Sequence, residues 1–359
     1  MMAVLRYLLL TSLPLLFLEP VFSSEPVDSS AAPREASQSR ASQTAALEAS
    51  QREIAPPEPI VPPPKRELRL VLDWYPGPQH APVYLAKALG YLETDDIELE
   101  IVTPADPSVP SKLVAASRAD LALTRQPRLH LDIAEQKPLI RVATLIDSPL
   151  ALLTVREDSK ITDIAQLVGK NIGYAVEDNL SPSLSTLLEG AELVLDDVSL
   201  KDVDFGVVQA LVQQRVDAVI GGQRPMLAEQ LSREGVLSRG FLIEEHGVPA
   251  YDGLILIANR NHLQRQRETI QHLVTAIERA SLWLVNHPEK AWQRLVEVEP
   301  SLDTPANRRA WPALIRRFSL SPAGLDSHRY ARFEKFLKDR GEIETLHPVS
   351  RLAVDIYAP

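Results

Sequence analysis

The sequence predicts an α/β protein of two lobes, in which each lobe is a mostly parallel sheet flanked by helices and the C-terminal region is helical. Three observations support this fold class. Short aliphatic runs alternate with helical segments, which is typical of βαβ units with right-handed crossovers. The alternation forms two series. Strand-like runs at Ala151–Val155 and Leu254–Ala258 lie between the series and after the second one.

The first series predicts one sheet and the helices that cover it. Its predicted strands are Leu68–Trp74, Ile97–Thr103, Ala119–Thr124 and Leu139–Ile146. Its predicted helices are Pro82–Leu92, Pro110–Ser117 and Pro127–Gln136. Because a helix joins each strand to the next, neighbouring strands are expected to run parallel.

The second series predicts another sheet of the same kind. Its predicted strands are Asn171–Val176, Val203–Phe205 and Asp217–Gly222. Its predicted helices are Thr162–Val168, Pro182–Glu189, Val207–Arg215 and Met226–Glu234. The chain beyond Leu254–Ala258 is nearly all helical.

Two series joined by an outgoing and a returning strand predict two lobes with a double crossover. Ala151–Val155 and Leu254–Ala258 are the candidate crossovers. The first lobe is then expected to contain residues 66–150 and 259–359, and the second residues 151–258. Ligands of open α/β sheets bind beyond the carboxyl ends of the strands, so we expect one cleft between the lobes, closing about hinges in the crossovers.

Composition excludes several kinds of site. The chain has 359 residues, a net charge of −10 and no long basic run, which argues against a nucleic-acid partner. It contains no cysteine, which excludes disulfides, thiolate nucleophiles, cysteine-bound zinc and lipid attachment at an N-terminal cysteine. Its histidines lack the spacing of metal ligands, so no metal site is predicted.

The N-terminus is typical of an exported protein. Arg6 precedes the apolar run Tyr7–Leu18, and Val21 and Ser23 occupy the two positions that signal peptidase reads. We therefore predict a signal peptide over residues 1–23, with an uncleaved anchor as the alternative. Without a cysteine for lipid attachment, the periplasm of a Gram-negative bacterium is the expected location.

Residues 24–65 are predicted to be a disordered spacer. They are mostly Ser, Ala, Glu, Gln and Pro, and they contain almost no large apolar side chains that could offset the entropy lost on ordering. The proline-rich end favours extended polyproline geometry. The predicted folded domain therefore covers residues 66–359.

Three segments carry a family resemblance: Leu72–Tyr91, Ser117–Ala122 with Val142–Pro149, and Leu167–Tyr174. Together they resemble the pyrimidine-precursor proteins of thiamine biosynthesis, which include fungal enzymes that make the thiamine pyrimidine and bacterial periplasmic proteins that bind related pyrimidines. The D-W-x-P…H opening in the first segment is the specific part. The A-x-x-x-G-Y end of that segment and the L-x-G-K-x-I-G-Y pattern of the third segment are shared with nitrate, sulfonate and taurine binding proteins. The resemblance implies a type II-like periplasmic binding protein fold.

Two positions depart from the enzymes of that family. Where the fungal enzymes have the lysine that holds pyridoxal phosphate and the histidine that is consumed as substrate, this chain has Thr124 and Arg128. Threonine cannot form a Schiff base, because that step needs an amine. The cysteine-rich run of the enzymes is also missing. The resemblance therefore implies a binding protein without a cofactor rather than an enzyme.

Candidate ligand contacts in the first lobe follow the first and third strands. The Trp74 indole suits stacking on a flat heterocycle, and Asp73 can accept hydrogen bonds from an exocyclic amine. His80 precedes a helix, and Thr124 and Arg125 should lie at the mouth of the cleft. The alternatives are a core tryptophan, a histidine at a helix entry and an ordinary surface arginine.

Candidate contacts in the second lobe follow its strands in the same way. Glu177, with Asp178 beside it, stands where the enzymes have a phosphate loop, and the two carboxylates would repel a phosphate. Gln223 follows two glycines that allow close approach of the backbone, although a tight turn explains them equally. Tyr251 and Asp252 resemble the P-x-Y-D step of the binding proteins and could complete a polar, aromatic cage.

The expected function is that of the periplasmic substrate-binding component of an ABC importer. The resemblance implies a thiamine pyrimidine precursor as ligand, of the hydroxymethylpyrimidine or formylaminopyrimidine type, an importer permease as partner, and a monomer. Alternatives are a binding protein for a sulfonate, nitrate or another small heterocycle, a synthase-like enzyme, and a sensor domain tethered by an uncleaved N-terminus. Acidic candidates such as Asp73 disfavour an oxyanion ligand.

The export hypothesis predicts that residues 1–24, fused to a reporter active only in the periplasm, will give activity and cleavage near Ser23. Replacing Leu8 and Leu10 with aspartate should abolish export, because a charged segment cannot act as the apolar region of a signal peptide. Reporter activity and N-terminal sequencing of the product provide the measurement. Retention of the full-length protein in the cytoplasm would contradict the predicted location.

Overall fold

The computed structural model describes residues 65–93, 96–177 and 180–358, and of Ser181 only the backbone. The predicted signal peptide, residues 24–64 of the predicted spacer and the candidate neighbour Asp178 lie outside these residues. Within them, no helix is long and apolar enough to cross a membrane.

In the described residues, ten strands form two five-stranded sheets. The first sheet consists of β1 (Arg66–Val71), β2 (Ile97–Val102), β3 (Leu121–Thr124), β4 (Leu139–Ile146) and β10 (Leu254–Asn259), in the order β2-β1-β3-β10-β4. The second consists of β5 (Leu152–Arg156), β6 (Asn171–Tyr174), β7 (Ser199–Asp202), β8 (Ala218–Ile220) and β9 (Ser238–Leu242), in the order β7-β6-β8-β5-β9.

Both sheets are mixed, with one reversed strand each. β1 pairs in parallel with β2 and β3, whereas β10 lies antiparallel between β3 and β4. β6 pairs in parallel with β7 and β8, whereas β5 lies antiparallel between β8 and β9. The reversed strands are the two that the sequence marked as candidate crossovers. The prediction of an α/β protein built on two mostly parallel sheets is confirmed.

Helices cover both faces of each sheet. The first series has α1 (Ala81–Ala88), α2 (Pro110–Ala115) and α3 (Gln126–Ala134); the second has α4 (Ser185–Glu189), α5 (Val207–Val212) and α6 (Met226–Arg233). The C-terminal region has α7 (Leu263–Asn286), α8 (Pro288–Val298), α9 (Pro305–Ile315), α10 (Ser327–Asp339) and α11 (Val349–Leu352). Prolines occupy the first turns of α1, α2 and α3, where a missing N–H leaves no helical hydrogen bond unmade.

Alternate residues of the strands pack into different cores, because helices cover both faces. Leu254 and Leu256 of β10 join the core beneath α1 and α7, whereas Ile255 and Ile257 join the core on the opposite face. All four side chains are fully buried. Strands buried on both faces appear in the sequence as continuous apolar runs, which is why β10 could be recognised without any polar alternation.

Two strands of the second sheet differ from the sequence prediction. The strand predicted at Val203–Phe205 is wrong: β7 lies at Ser199–Asp202, and Phe205 follows it in the loop before α5. β9, at Ser238–Leu242, was not predicted. Both are edge strands without a fully buried residue, so neither has the apolar run or the alternation by which a strand is recognised.

The chain crosses between the sheets just before each reversed strand. The first crossover segment is residues 147–151, between β4 and β5, and the second is residues 247–253, between β9 and β10. The two segments touch at Gly253, where a Cβ atom would lie 2.2 Å from the carbonyl oxygen of Ser148 and 3.1 Å from the backbone nitrogen of Leu150. Only glycine therefore fits where the crossovers meet.

The C-terminal helix α10 packs on the cores of both lobes. Tyr330 near its beginning joins a core of the first sheet, whereas Phe333 and Leu337 join a core of the second. Arg340, which follows the helix, forms an ion pair of 2.6 Å with Glu189 of α4. The sequence assigned residues 259–359 to the first lobe alone, but α10 contacts both.

The contact between the crossovers predicts that Gly253→Ala will destabilise the protein. The added methyl group would meet backbone atoms rather than a flexible side chain, and overpacking of this kind typically costs about 1–3 kcal/mol. Thermal unfolding measures the change. Gly190→Ala is the matched control, because its Cβ would lie 3.5 Å from the nearest atom, at ordinary contact distance. Equal melting temperatures for the two variants would contradict the proposed close packing.

Candidate ligand-binding site

A buried carboxylate lies at the carboxyl end of β1. Asp73 is 2% exposed, and its Oδ1 is 2.8 Å from His80 Nε2. Its Oδ2 is 3.4 Å from the amide nitrogen of Gln223 and 4.0 Å from Arg125 Nη1. Gln223 belongs to the second lobe and the other three residues to the first. The donors that satisfy this carboxylate therefore come from both sides of the cleft.

The hydrogen bonds of His80 assign its two ring nitrogens. The backbone N–H of Gly77 donates to Nδ1 over 3.2 Å, so Nδ1 is an acceptor. The Gln79 amide nitrogen lies 3.3 Å from Nε2, but the Asp73 carboxylate is closer, at 2.8 Å, and can only accept, so Nε2 carries the proton and donates to Asp73. His80 is completely buried, so it holds the Asp73 carboxylate from behind rather than facing the cleft.

Trp74 makes the aromatic contact between the lobes. Its ring lies edge-on to Phe205, with centroids 4.5 Å apart, and the Tyr75 ring lies 4.1 Å from Phe205. Trp74 also packs on a small core of the second lobe. The sequence prediction missed Phe205, because it placed this residue inside a predicted strand and not in the loop that follows β7.

Two cavities meet at Trp74. The inner one, of about 20 Å³, lies between Asp73, Trp74, Arg125, Gln223 and Gly253, among other residues. A space of this size holds about one water molecule. The outer cavity, of about 400 Å³, lies beyond the Trp74 ring. Its lining combines aliphatic side chains and the charged Arg233 and Glu234 with aromatic and amide groups, including Tyr75, Phe205, Gln79, Gln209, Gln230 and Asn307.

The cleft is therefore closed around Asp73. An ion pair of 2.6 Å between Arg309 of α9 and Glu229 of α6 also joins the lobes near the outer cavity. A flat ring can reach Asp73 only if the lobes separate or Trp74 and Gln223 move. Two lobes on crossover hinges permit such a movement.

The structure brings together five of the nine predicted contacts: Asp73, Trp74, His80, Arg125 and Gln223. Thr124 is buried at the end of β3, next to this group, where its backbone pairs with Ile255. Glu177 is exposed and lines neither cavity, although Ala175 and Val176 before it line the inner one.

Tyr251 and Asp252 lie apart from this group. The Asp252 Oδ2 accepts hydrogen bonds from Thr144 (2.7 Å) and Tyr330 (3.3 Å), and its Oδ1 accepts one from Arg329. Burial and this carboxylate raise the pKa of Tyr330 well above its ordinary value. Tyr251 is 1% exposed and packs edge-on against Phe333. The predicted cage is thus not formed: both side chains pack around the second crossover.

The positions that carry the chemistry of the related enzymes hold other groups. Thr124 offers no amine, and Arg128 lies on α3, where it pairs with Asp132 and Glu135. Among the described residues that line the two cavities, none is a lysine. Nowhere in the described parts of the chain do three His, Cys, Asp or Glu side chains come together as a metal site. What this arrangement can do is bind a polar, flat molecule through hydrogen bonds and ring contacts.

Two sheets, a double crossover and a cleft between the lobes define the fold of periplasmic solute-binding proteins. Among solved structures, the aliphatic sulphonate binding protein of Escherichia coli is similar, with a TM-score of 0.62 and 16% identity over 80% of this chain and 97% of that chain. The chain belongs to the NMT1/THI5-like family, whose model matches residues 77–291.

Relatives of similar sequence carry three kinds of name. A Haemophilus influenzae protein named for thiamine biosynthesis is 38% identical over 81% of this chain and 93% of its own length. The formylaminopyrimidine-binding protein of Halalkalibacterium halodurans is 30% identical over 66% and 72%. The 4-amino-5-hydroxymethyl-2-methylpyrimidine phosphate synthase of Legionella pneumophila is 28% identical over 76% and 87%.

The contact across the cleft predicts that Phe205→Ala will shift the lobes towards an open form. The substitution removes the ring against which Trp74 packs edge-on. Because the chain has no cysteine, spin labels on Glu98→Cys and Lys201→Cys report the distance between the outer strands of the two sheets. We expect a longer mean distance than in the labelled parent protein.

Phe241→Ala is the control for this measurement, because Phe241 contacts His246 within the second lobe and should leave the lobe distance unchanged. An unchanged distance in Phe205→Ala would mean that other contacts hold the cleft closed.

Proposed function

We propose that this protein is the periplasmic substrate-binding component of an ABC importer and that it captures a thiamine pyrimidine precursor of the hydroxymethylpyrimidine or formylaminopyrimidine type. The observation that carries the proposal is the Asp73 carboxylate, buried beside Trp74 in the cleft and bonded across it by the Gln223 amide. Family membership and the name of the formylaminopyrimidine-binding relative support the same ligand class.

The chemistry of Asp73 suits an aminopyrimidine. Its Oδ2 is approached by an NH2 group of Gln223, and the exocyclic amine of an aminopyrimidine is a donor of the same kind. In the proposed complex the ligand amine replaces that amide at Oδ2, and Gln223 turns to the ring nitrogen. His80 keeps its bond to Oδ1, so the carboxylate stays oriented while its partner changes.

The aromatic residues suit the flat ring of such a ligand. Trp74 can present its indole face once the lobes part, and Phe205 lies on the opposite lobe, ready to contact the other side of a bound ring. Offset or edge-on ring pairs add about 0.5–1.5 kcal/mol beyond the burial of area. Closure of the lobes on the ligand would then present the closed form to the importer permease, with the protein acting as a monomer.

Export to the periplasm is part of the proposal. It is supported by the charged and apolar N-terminus of the sequence and by the fold shared with periplasmic binding proteins. The two alternative ligand classes fit the cleft less well. A sulfonate or nitrate would bring a negative charge next to Asp73, and Arg125, already 4.0 Å from that carboxylate, is the only cation lining the inner cavity in the described residues.

A synthase-like activity is the second candidate function, because several relatives are named as synthases. Thr124 and Arg128 oppose it, since neither supplies the amine or the imidazole that the enzyme chemistry uses. We expect that pyridoxal phosphate followed by borohydride leaves no adduct on a cleft residue. A trapped adduct there would favour the synthase.

The proposed site predicts that Trp74→Ala will weaken hydroxymethylpyrimidine binding by roughly tenfold to a hundredfold, because the ring contact and its buried area are lost. Asp73→Asn should weaken binding to a similar extent, because the new NH2 group would face the ligand amine without an acceptor. Titration calorimetry on each variant, with thermal unfolding to confirm the fold, measures both effects.

Asp120→Asn is the matched control, since this carboxylate accepts hydrogen bonds from the Arg69 backbone N–H over 2.9 Å and from the Gln266 amide over 2.7 Å and lines neither cavity. We expect its effect to be on the melting temperature and its affinity to stay unchanged. Titrations with an alkanesulfonate and with nitrate accompany the pyrimidine. Full affinity in Trp74→Ala and Asp73→Asn, or tighter binding of an oxyanion by the parent protein, would contradict the proposed ligand class.

A further inference from the structure

A network of hydrogen bonds between buried residues connects the second crossover to the C-terminal helix α10. It starts at Asp252, passes through Gln126 and His130 of α3, and ends at Glu334 of α10. Each of these residues is at most 5% exposed. His130 and Glu334 are 204 positions apart in the sequence, so nothing local to either residue explains the contact.

The hydrogen bonds of this network all donate in one direction, from Asp252 towards Glu334. The backbone N–H of Asp252 donates to Gln126 Oε1 over 2.8 Å, which identifies that end of the amide as the acceptor. The amide NH2 then donates to His130 Nε2 over 3.1 Å. Because Nε2 is an acceptor, the ring proton is on Nδ1, which donates to Glu334.

Glu334, at the end of this hydrogen-bond network, has further partners. Glu334 also accepts hydrogen bonds from the backbone and the ring of His347. Burial by itself would raise the pKa of Glu334, but the bonds from His130 and His347 outweigh it and hold the pKa below its ordinary value. An ionised carboxylate at this end keeps the His130 proton on Nδ1, and through it the orientation of the Gln126 amide.

Gln126 bonds to the crossover through its backbone as well. Its N–H donates to the carbonyl oxygen of Asp252 over 3.2 Å, so the two residues are joined in both directions. Gln126 follows Arg125, and Asp252 precedes Gly253, and both of these neighbours line the inner cavity. Gln126 is completely buried and lines neither cavity.

We propose that Gln126 is a positioning residue, which holds the Arg125 turn in register with the second crossover, and that His130 and Glu334 set the orientation of its amide. Through this pair of bonds the position of Arg125 relative to Asp73 depends on the crossover that must bend when the lobes open. The proposal rests on the proposed function for the identity of the ligand, but the hydrogen-bond directions do not depend on it.

The side-chain carboxylate of Asp252 also holds the second crossover in place, through hydrogen bonds of its own. Arg329 of α10 donates to this carboxylate and also to the carbonyl oxygen of Asp147 in the first crossover, over 2.6 Å. Asp252 is thus held to α10, to β4 through Thr144 and to α3 through Gln126.

The first test determines by NMR which ring nitrogen of His130 carries the proton. In protein labelled with 15N at histidine, we expect His130 as the Nδ1–H tautomer and His80 as the Nε2–H tautomer, so the two rings serve as references for each other. Gln126→Glu keeps an acceptor for the Asp252 N–H but replaces the NH2 donor with a second acceptor. We expect this variant to bring a proton onto Nε2 of His130 and to leave the His80 signals unchanged.

The second test measures ligand affinity in the cleft. Gln126→Met removes the amide at similar size and should weaken hydroxymethylpyrimidine binding roughly tenfold, the equivalent of about 1.4 kcal/mol. Gln271→Met is the matched control, because Gln271 donates over 2.8 Å to the carbonyl oxygen of Ile356, away from the cleft. Its melting temperature should fall as well, but its affinity should not change.

Failure of the positioning role and failure of the proposed function give different results. An Nε2–H tautomer of His130 in the parent protein, or full affinity in Gln126→Met, would overturn the positioning role. If the parent protein binds no pyrimidine, the proposed function fails, and the spin-label distance between positions 98 and 201 decides the positioning role. A broader distribution in Gln126→Met than in Gln271→Met supports it, and equal distributions overturn it.

Discussion

The contact between the two crossovers at Gly253 is the constraint on which the rest of the structure depends. The carbonyl oxygen of Ser148 occupies the space that any side chain at position 253 would need, so the two segments cross at the closest possible approach. Arg329 then bonds to both segments, through Asp252 on one and Asp147 on the other. The two crossovers, together with α10, which packs on the cores of both lobes, therefore join the lobes.

In the cleft itself, the protein's own groups occupy the places that the proposed ligand would take. Gln223 approaches Asp73 with an NH2 group, and Phe205 packs on Trp74. Because each of these contacts joins the two lobes, they stabilise the closed form, and each has a counterpart in the proposed complex with an aminopyrimidine. Binding then exchanges internal partners for ligand partners, so that no buried carboxylate is left without a donor at either stage.

A few side chains in the site, and not the fold, distinguish this protein from the synthases of the family. A fold does not determine the chemistry performed on it, and the groups present in the site do. Thr124 ends β3 next to the cleft, where its hydroxyl can accept or donate a hydrogen bond but cannot form an imine. Under the proposed function this position serves binding, whereas the family resemblance implies a lysine at it in the synthases.

The sequence alone determined the two α/β series, the strands β5 and β10 as crossover candidates, and the positions of Asp73, Trp74, Arg125 and Gln223 at or directly after the ends of predicted strands. These follow from local periodicity and from the rule that ligands meet the carboxyl ends of parallel strands. Only the tertiary structure decided the partners of Asp252, because Arg329 and Tyr330 reach it from a helix more than seventy residues further along the chain. It also decided the edge strands β7 and β9, whose polar residues carry no periodic signal, and the role of Gln126, whose amide is oriented by residues that no local pattern connects.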